Sequence, residues 1–247
     1  MASIIYKEKQ IHDIRLVIFD KDGTIFDLHK YWAFVIKQRA EYFCKLQICK
    51  NTSKLYTELI CSMGLQENEK ISRLGPVGVR PRSDMVNIVC EVLNRYEKSI
   101  DINFVERIFL EVDKITESNL NDILDVLPGV NTLITDLCKF NCIVTMATVD
   151  VRKRAESALK NKKIKKYFDC IVGSNDVARS KPHNDMVLKI LANFDDIVPE
   201  QVALIGHSIV DFEMAQNSGI HFVGVKTGIH TQEFLQKSEF LVDTLSD

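Results

Sequence analysis

Hydrophobic positions along the chain fall into two patterns. Short unbroken apolar runs, LVIF at 16–19, CIVTMAT at 142–148, VALIG at 202–206 and HFVGV at 221–225, each close on glycine or polar turn residues. Runs of four to eight residues rich in β-branched and aromatic side chains, bounded by turn signals, read as strands covered on both faces, the setting of a parallel sheet. Between the first and second runs the pattern changes. The stretches YWAFVIKQRAEYF (31–43), SDMVNIVCEVLNRY (83–96) and NFVERIFLEVDKI (103–115) repeat apolar residues three or four apart, which predicts amphipathic helices. About a hundred residues, 27–126, are too many for a loop. Ala155, Ala158 and Leu159 give a further helical face after the second run, so the chain is expected to be α/β with a helical insertion.

Candidate chemistry sits where the apolar runs stop. The first ends in Asp20-Lys21-Asp22-Gly23-Thr24, two carboxylates one residue apart followed by a glycine turn. Acidic turns are common. Two half-buried carboxylates this close repel, however, so a cation or a titration role is expected to compensate. Sheets of this kind bind ligands at the carboxyl ends of their strands. Thr148 ends the second run, its alternative role being a helix N-cap. Lys181 precedes a helical stretch in RSKPHND, with Pro182 suited to a first helical turn; its alternative is a surface lysine. His207 and Asp211 follow the third run, and Asp211 also suits a helix N-terminus.

DKDGT after a buried strand resembles motif I of the haloacid dehalogenase superfamily, and Thr148, Lys181 and the segment 202–219 resemble motifs II, III and IV in the same order. The resemblance implies a doubly wound Rossmannoid core over 1–26 and 127–247, with a helical cap over 27–126 that excludes water from the strand ends and a return to the core at LPGV (127–130). It also implies a metal-dependent phosphatase of the phosphoglycolate phosphatase-like kind. In that reading Asp20 is the nucleophile, Asp22 the general acid and base, and Thr148 and Lys181 hold the transferring oxygens. The Lys21 backbone N–H and Gly23 line the phosphate, the Lys21 side chain facing the opposite way. Thr24 holds the turn, its hydroxyl placed to bond a carboxylate. Mg2+ is expected on Asp20, the Asp22 backbone carbonyl and Asp211.

His207 departs from the family pattern, which has an acid there. Imidazole suits softer ions than magnesium does. Either Asp211 becomes the direct ligand, the expectation taken here, or another divalent metal is accepted, or turnover is lost. A capping or supporting role for His207 is the alternative. Rival functions are a phosphomutase sharing these motifs and a catalytically impaired binding protein. A true dehalogenase is disfavoured by Asp22.

Composition narrows the partners. At 247 residues, 46% hydrophobic and net charge -2, the chain can bury a full core, and a polyanion partner is not expected. Lysines 160–166 complement a helix end. No apolar stretch reaches a membrane span and no leader pattern is present, so a cytoplasmic monomer or homodimer acting on a small phosphorylated metabolite is expected. Seven scattered cysteines with no CxxC pair read as reduced, mostly buried thiols. Arg80 and Arg82, on a Gly and Pro rich turn, are substrate-binding candidates, able to grip a carboxylate or second phosphate. Tyr31 and Trp32 are candidates for a crevice lining or for packing.

Overall fold

A computed structural model describes every residue except Met1, Lys7, Glu8 and Lys98. A hairpin of β1 (Ala2–Tyr6) and β2 (Lys9–Ile14) precedes the central strand β3 (Leu16–Phe19). Four helices follow, α1 (Leu28–Lys45), α2 (Thr52–Ser62), α3 (Arg82–Leu93) and α4 (Ile102–Ser118), with a single turn α5 (Leu120–Ile123). The chain then alternates through α6 (Val130–Lys139), β4 (Ile143–Thr148), α7 (Arg152–Asn161), β5 (Cys170–Gly173) and α8 (Asp185–Leu191). It closes with β6 (Val202–Gly206), α9 (Ile209–Ser218), β7 (His221–Val225), α10 (Gln232–Lys237) and β8 (Leu241–Val242).

Two compact units result. Met1–Asp27 with Val126–Asp247 form one, and Leu28–Asp125 the other. In the first, six strands pair in the order β5-β4-β3-β6-β7-β8, all parallel, so the fold is α/β with a doubly wound sheet. Successive connections leave β3 toward opposite edges, β4 on one side and β6 on the other. The strand order therefore reverses between β3 and β6, and open α/β sheets bind ligands outside the carboxyl ends of their strands at such a point. The strands are buried because helices cover both faces. Leu16 and Ile18 of β3 pack with Val202 and Leu204 of β6, Met186 and Ile190 of α8 and Met214 of α9. Each such side chain contributes about 1.5–3 kcal/mol on burial. At the start of α6, Gly129 lies in the left-handed region (φ 81°), and a Cβ there would stand 2.2 Å from the Leu245 carbonyl carbon. Glycine is required on both counts.

The helical unit follows from its 3.6-residue pattern and its caps. Asp101 caps α4 by accepting from the Phe104 N–H at 2.7 Å, and Val105, Ile108, Phe109 and Val112 then form its buried stripe. Tyr31 and Trp32 pack edge to face at 5.5 Å within this unit. Arg80 is exposed. Arg82 is engaged inside the unit: Nε donates to Glu106 at 2.8 Å and Nη1 to Asp113. Arg39, buried, stacks 3.7 Å above the Phe109 ring and lies 3.9 Å from Asp113. Asp113 thus serves one buried and one half-buried guanidinium group.

Two expectations are corrected. Pro182 lies ahead of the first turn of α8, which begins at Asp185, because Ser180–His183 form a turn of their own. The cysteines are all free thiols, but only Cys142 is buried; Cys61 is exposed and the rest are half-buried, since most sit on helix flanks. Among the described residues, no helix is long and apolar enough to cross a membrane.

Truncating Asp113 withdraws the acid shared by Arg39 and Arg82, while Arg82 keeps Glu106. Asp113→Ala is therefore expected to lower unfolding free energy by about 3 kcal/mol in urea titration. An unchanged midpoint would show that Arg39 and Arg82 are compensated without Asp113.

Candidate active site

Asp20 is the first residue beyond β3, and its N–H donates to the Ile205 carbonyl of β6 at 2.9 Å, so the strand pairing itself sets its position. Its carboxylate is buried and divided between two partners. Lys181 Nζ donates to Oδ1 at 2.7 Å, and His207 Nδ1 meets Oδ2 at 3.1 Å. The same ammonium donates to Asp211 Oδ1 at 2.6 Å. Residues from the end of β3, the turn before α8 and the β6–α9 junction therefore converge on one buried cluster. Of the residues expected at the site, Asp20, Lys181, His207 and Asp211 are in direct contact.

Asp211 is held from its own helix. Ser208 precedes α9, and Asp211 Oδ2 accepts from Ser208 Oγ at 2.6 Å, Ser208 N at 3.1 Å and His207 N at 3.2 Å. This is a capping arrangement, and the Ser208–Asp211 spacing, S-x-x-D, is its sequence signature. Two glycines make the cluster possible by close approach. A Cβ on Gly206 would stand 2.5 Å from Asp211 Cβ, and one on Gly228 would stand 2.2 Å from His207 Cδ2.

Electrostatics follow from burial and pairing. Burial alone drives the Asp20 carboxyl up, but Lys181 and His207 outweigh it and bring it down to about 2. Burial would depress Lys181, yet the charges of Asp20 and Asp211 raise it. His207 is also raised, because its contact with Asp20 and the charge of Asp211 overcome desolvation. The cluster therefore favours charged partners held out of water.

A second buried group adjoins the first. Lys21 is fully buried, and its Nζ lies 2.7 Å from Asp150 Oδ2 and 3.0 Å from Asp22 Oδ1. The expectation that this side chain faces away from the acids is corrected: β3 ends at Phe19, so strand alternation no longer applies at 21. Asp150, absent from the sequence-based candidates, is a hub. It also accepts from Val151 N at 2.8 Å through Oδ1, lies 3.4 Å from Arg154 Nε, and its own N–H donates to Thr148 Oγ1 at 3.1 Å. Burial raises its carboxyl, but Arg154 and Lys21 hold it well below the usual carboxylate range. The available signal was an acid two residues past the strand end. Thr148 joins the site through this turn and not as the residue capping α7, which is Val151.

The motif I turn is closed by Ile25 N and Phe26 N donating to the Lys21 carbonyl at 2.9 and 3.0 Å, with Gly23 at φ 81°. Thr227 Oγ1 donates to the Gly23 carbonyl at 2.8 Å. The Thr24 hydroxyl is buried with no hydrogen-bond partner among the described residues, so it does not bond a carboxylate as expected. Arg80 and Arg82 belong to the helical unit, where Arg82 is paired as described above.

A family model described as haloacid dehalogenase-like hydrolase matches residues 17–225. The chain belongs to this family. Pyrophosphatase PpaX of Bacillus cereus is 25% identical over 168 residues, 67% of this chain and 77% of the relative. The haloacid dehalogenase-like fold also matches a predicted phosphoglycolate phosphatase of Haemophilus somnus, with TM-score 0.73 and 19% identity over 95% of this chain and 96% of that one. A β-phosphoglucomutase of Clostridium difficile matches with TM-score 0.67 and 20% identity over 94% and 92%.

Lys21→Met and Asp150→Leu are each expected to destabilise the fold by about 3 kcal/mol, because each removes the nearest partner of a buried charge. The double variant should cost less than the sum of the two, read from denaturant midpoints. Strict additivity would show that the two groups do not depend on each other.

Proposed function

We propose that this haloacid dehalogenase-like hydrolase removes phosphate from a small phosphorylated metabolite through an aspartyl-phosphate on Asp20. The observation that carries the reading is the Asp20 carboxylate at a strand end, kept ionised by Lys181 and His207, with a second carboxyl group two residues on. An ionised carboxylate is a competent nucleophile toward phosphorus. Asp20 attacks, the P–O bond to the alcohol breaks, and Asp22 protonates the leaving oxygen. Asp22, now a carboxylate, takes a proton from water, which attacks phosphorus and frees phosphate and Asp20. Lys181 offsets charge on the transferring oxygens, with Thr148 in support. A pyrophosphatase among the relatives is consistent with phosphoryl chemistry.

Asp20, His207 and Asp211 place ligand atoms within 4.8 Å of one another, a donor set that fits a divalent cation. Asp20, the Asp22 carbonyl, Asp211 and His207 would hold it, with Mg2+ the family's usual ion. When bound it would supply positive charge between nucleophile and phosphate. The helical unit Leu28–Asp125, inserted just after this turn, is assigned the choice of substrate, with Arg80 the more available of its two candidate arginines.

Release of inorganic phosphate from an aryl phosphate, and then from a panel of phosphorylated metabolites, tests the reading. Asp20→Asn should cut the rate by about a thousandfold or more, and Asp22→Asn by roughly a hundredfold to ten-thousandfold. An isomerised sugar phosphate without free phosphate would assign a mutase instead, and inactivity with every divalent metal would assign a binding role.

A further inference from the structure

We infer that His207 Nδ1 is a direct ligand of the cation at this site and that it turns the site's preference from magnesium toward a first-row ion that accepts nitrogen, such as cobalt(II), nickel or zinc. The purpose of the cation rests on the phosphatase reading above; its ligand rests on geometry. An ionised carboxylate offers about four lone-pair positions. Asp211 Oδ2 accepts from Ser208 Oγ, Ser208 N and His207 N, while Oδ1 accepts from Lys181 Nζ alone and keeps a position for metal beside the His207 ring. Asp20 commits two, one on each oxygen, and its Oδ2 faces His207 Nδ1 at 3.1 Å. Two ligands at right angles around a cation, each bonded at about 2.1 Å, stand about 3 Å apart. The Oδ2–Nδ1 pair has that spacing.

The ring is also held for the task. Gly228 lies flat against it, so that a Cβ there would stand 2.2 Å from Cδ2, and the imidazole is fully buried. His207 Nδ1 carries its proton toward the Asp20 carboxylate and releases it when metal binds, and Nε2, which has no hydrogen-bond partner among the described residues, then holds the proton of the neutral ring. Magnesium selects oxygen ligands and keeps its water, whereas imidazole raises affinity for cobalt, nickel and zinc. A nitrogen where the family pattern has a carboxylate therefore changes which ion is favoured.

The full chain loaded with Mn2+ alone, as a spectroscopic probe, should show nitrogen-14 coupling in pulsed electron paramagnetic resonance, lost in both His207→Asp and His207→Gln. Calorimetric titration should show the preference for Co2+ over Mg2+ falling at least tenfold in His207→Asp, with Mg2+ binding tightened. Absence of nitrogen coupling in the unaltered protein, or the same Co2+ to Mg2+ ratio in His207→Asp, overturns the inference, and the first result needs no variant to fold. Nitrogen coupling in a protein without phosphatase activity would sink the functional reading and keep this one; hydrolysis with Mg2+ and no coupling would do the reverse.

Discussion

The ammonium of Lys181 is the interaction on which the site depends. It stands 2.7 Å from Asp20 and 2.6 Å from Asp211, two carboxylates brought from different elements into a volume closed to water. Without a cation between them, their repulsion and desolvation would oppose the convergence of the β3 end with the β6–α9 junction. With it, each charge is compensated by a charge-assisted hydrogen bond. One group thus solves a folding problem and sets the state of the chemistry: Asp20 is ionised over the whole neutral range because Lys181 and His207 are beside it.

Sheet topology does the placing and small residues do the fitting. Asp20 follows β3, Thr148 ends β4 and His207 follows β6, so three neighbouring parallel strands deliver their groups at one edge. The helix α9 then presents Asp211 back toward the strand end, which is possible only because Gly206 has no side chain at the point of approach. Gly228 performs the same service for the His207 ring from the turn after β7. Replacing either glycine moves a charged group relative to its partner. Packing is therefore as specific a constraint on the cluster as charge.

Legibility in the sequence followed the same division. Parallel strands buried on both faces write themselves as unbroken apolar runs, so the core strands and the α/β class were readable from LVIF, VALIG and HFVGV alone. The residues that meet at the site were readable as strand-end polar positions. What the string could not show was direction beyond the strand. Lys21 turns inward because alternation stops at Phe19, and Asp150 becomes a hub because the β4–α7 turn folds its carboxylate under Lys21. Arg82 offers the converse case. It lies in a loop-like sequence, yet Glu106 and Asp113, a helix away, take up its guanidinium, a pairing across elements that local spacing does not encode. The β1–β2 hairpin was equally hidden, having no glycine turn to announce it.

The substitution at 207 alters the charge balance more than its single position suggests. Around the motif I turn the acids are Asp20, Asp22, Asp150 and Asp211, and the fixed cations are Lys21, Lys181 and Arg154. An acid at 207 would add a fifth negative group against those three positive ones. A histidine adds none, and its contact with Asp20 and the charge of Asp211 raise its ionisation against the opposing effect of burial. With a neutral histidine these groups carry one net negative charge, where an acid at 207 would leave two. One negative charge fewer is left for a cation to offset, and the nitrogen inferred as a ligand would favour a metal of a different kind. The residue at 207, and not the carboxylate at the end of β3, is where this chain departs from the family's pattern.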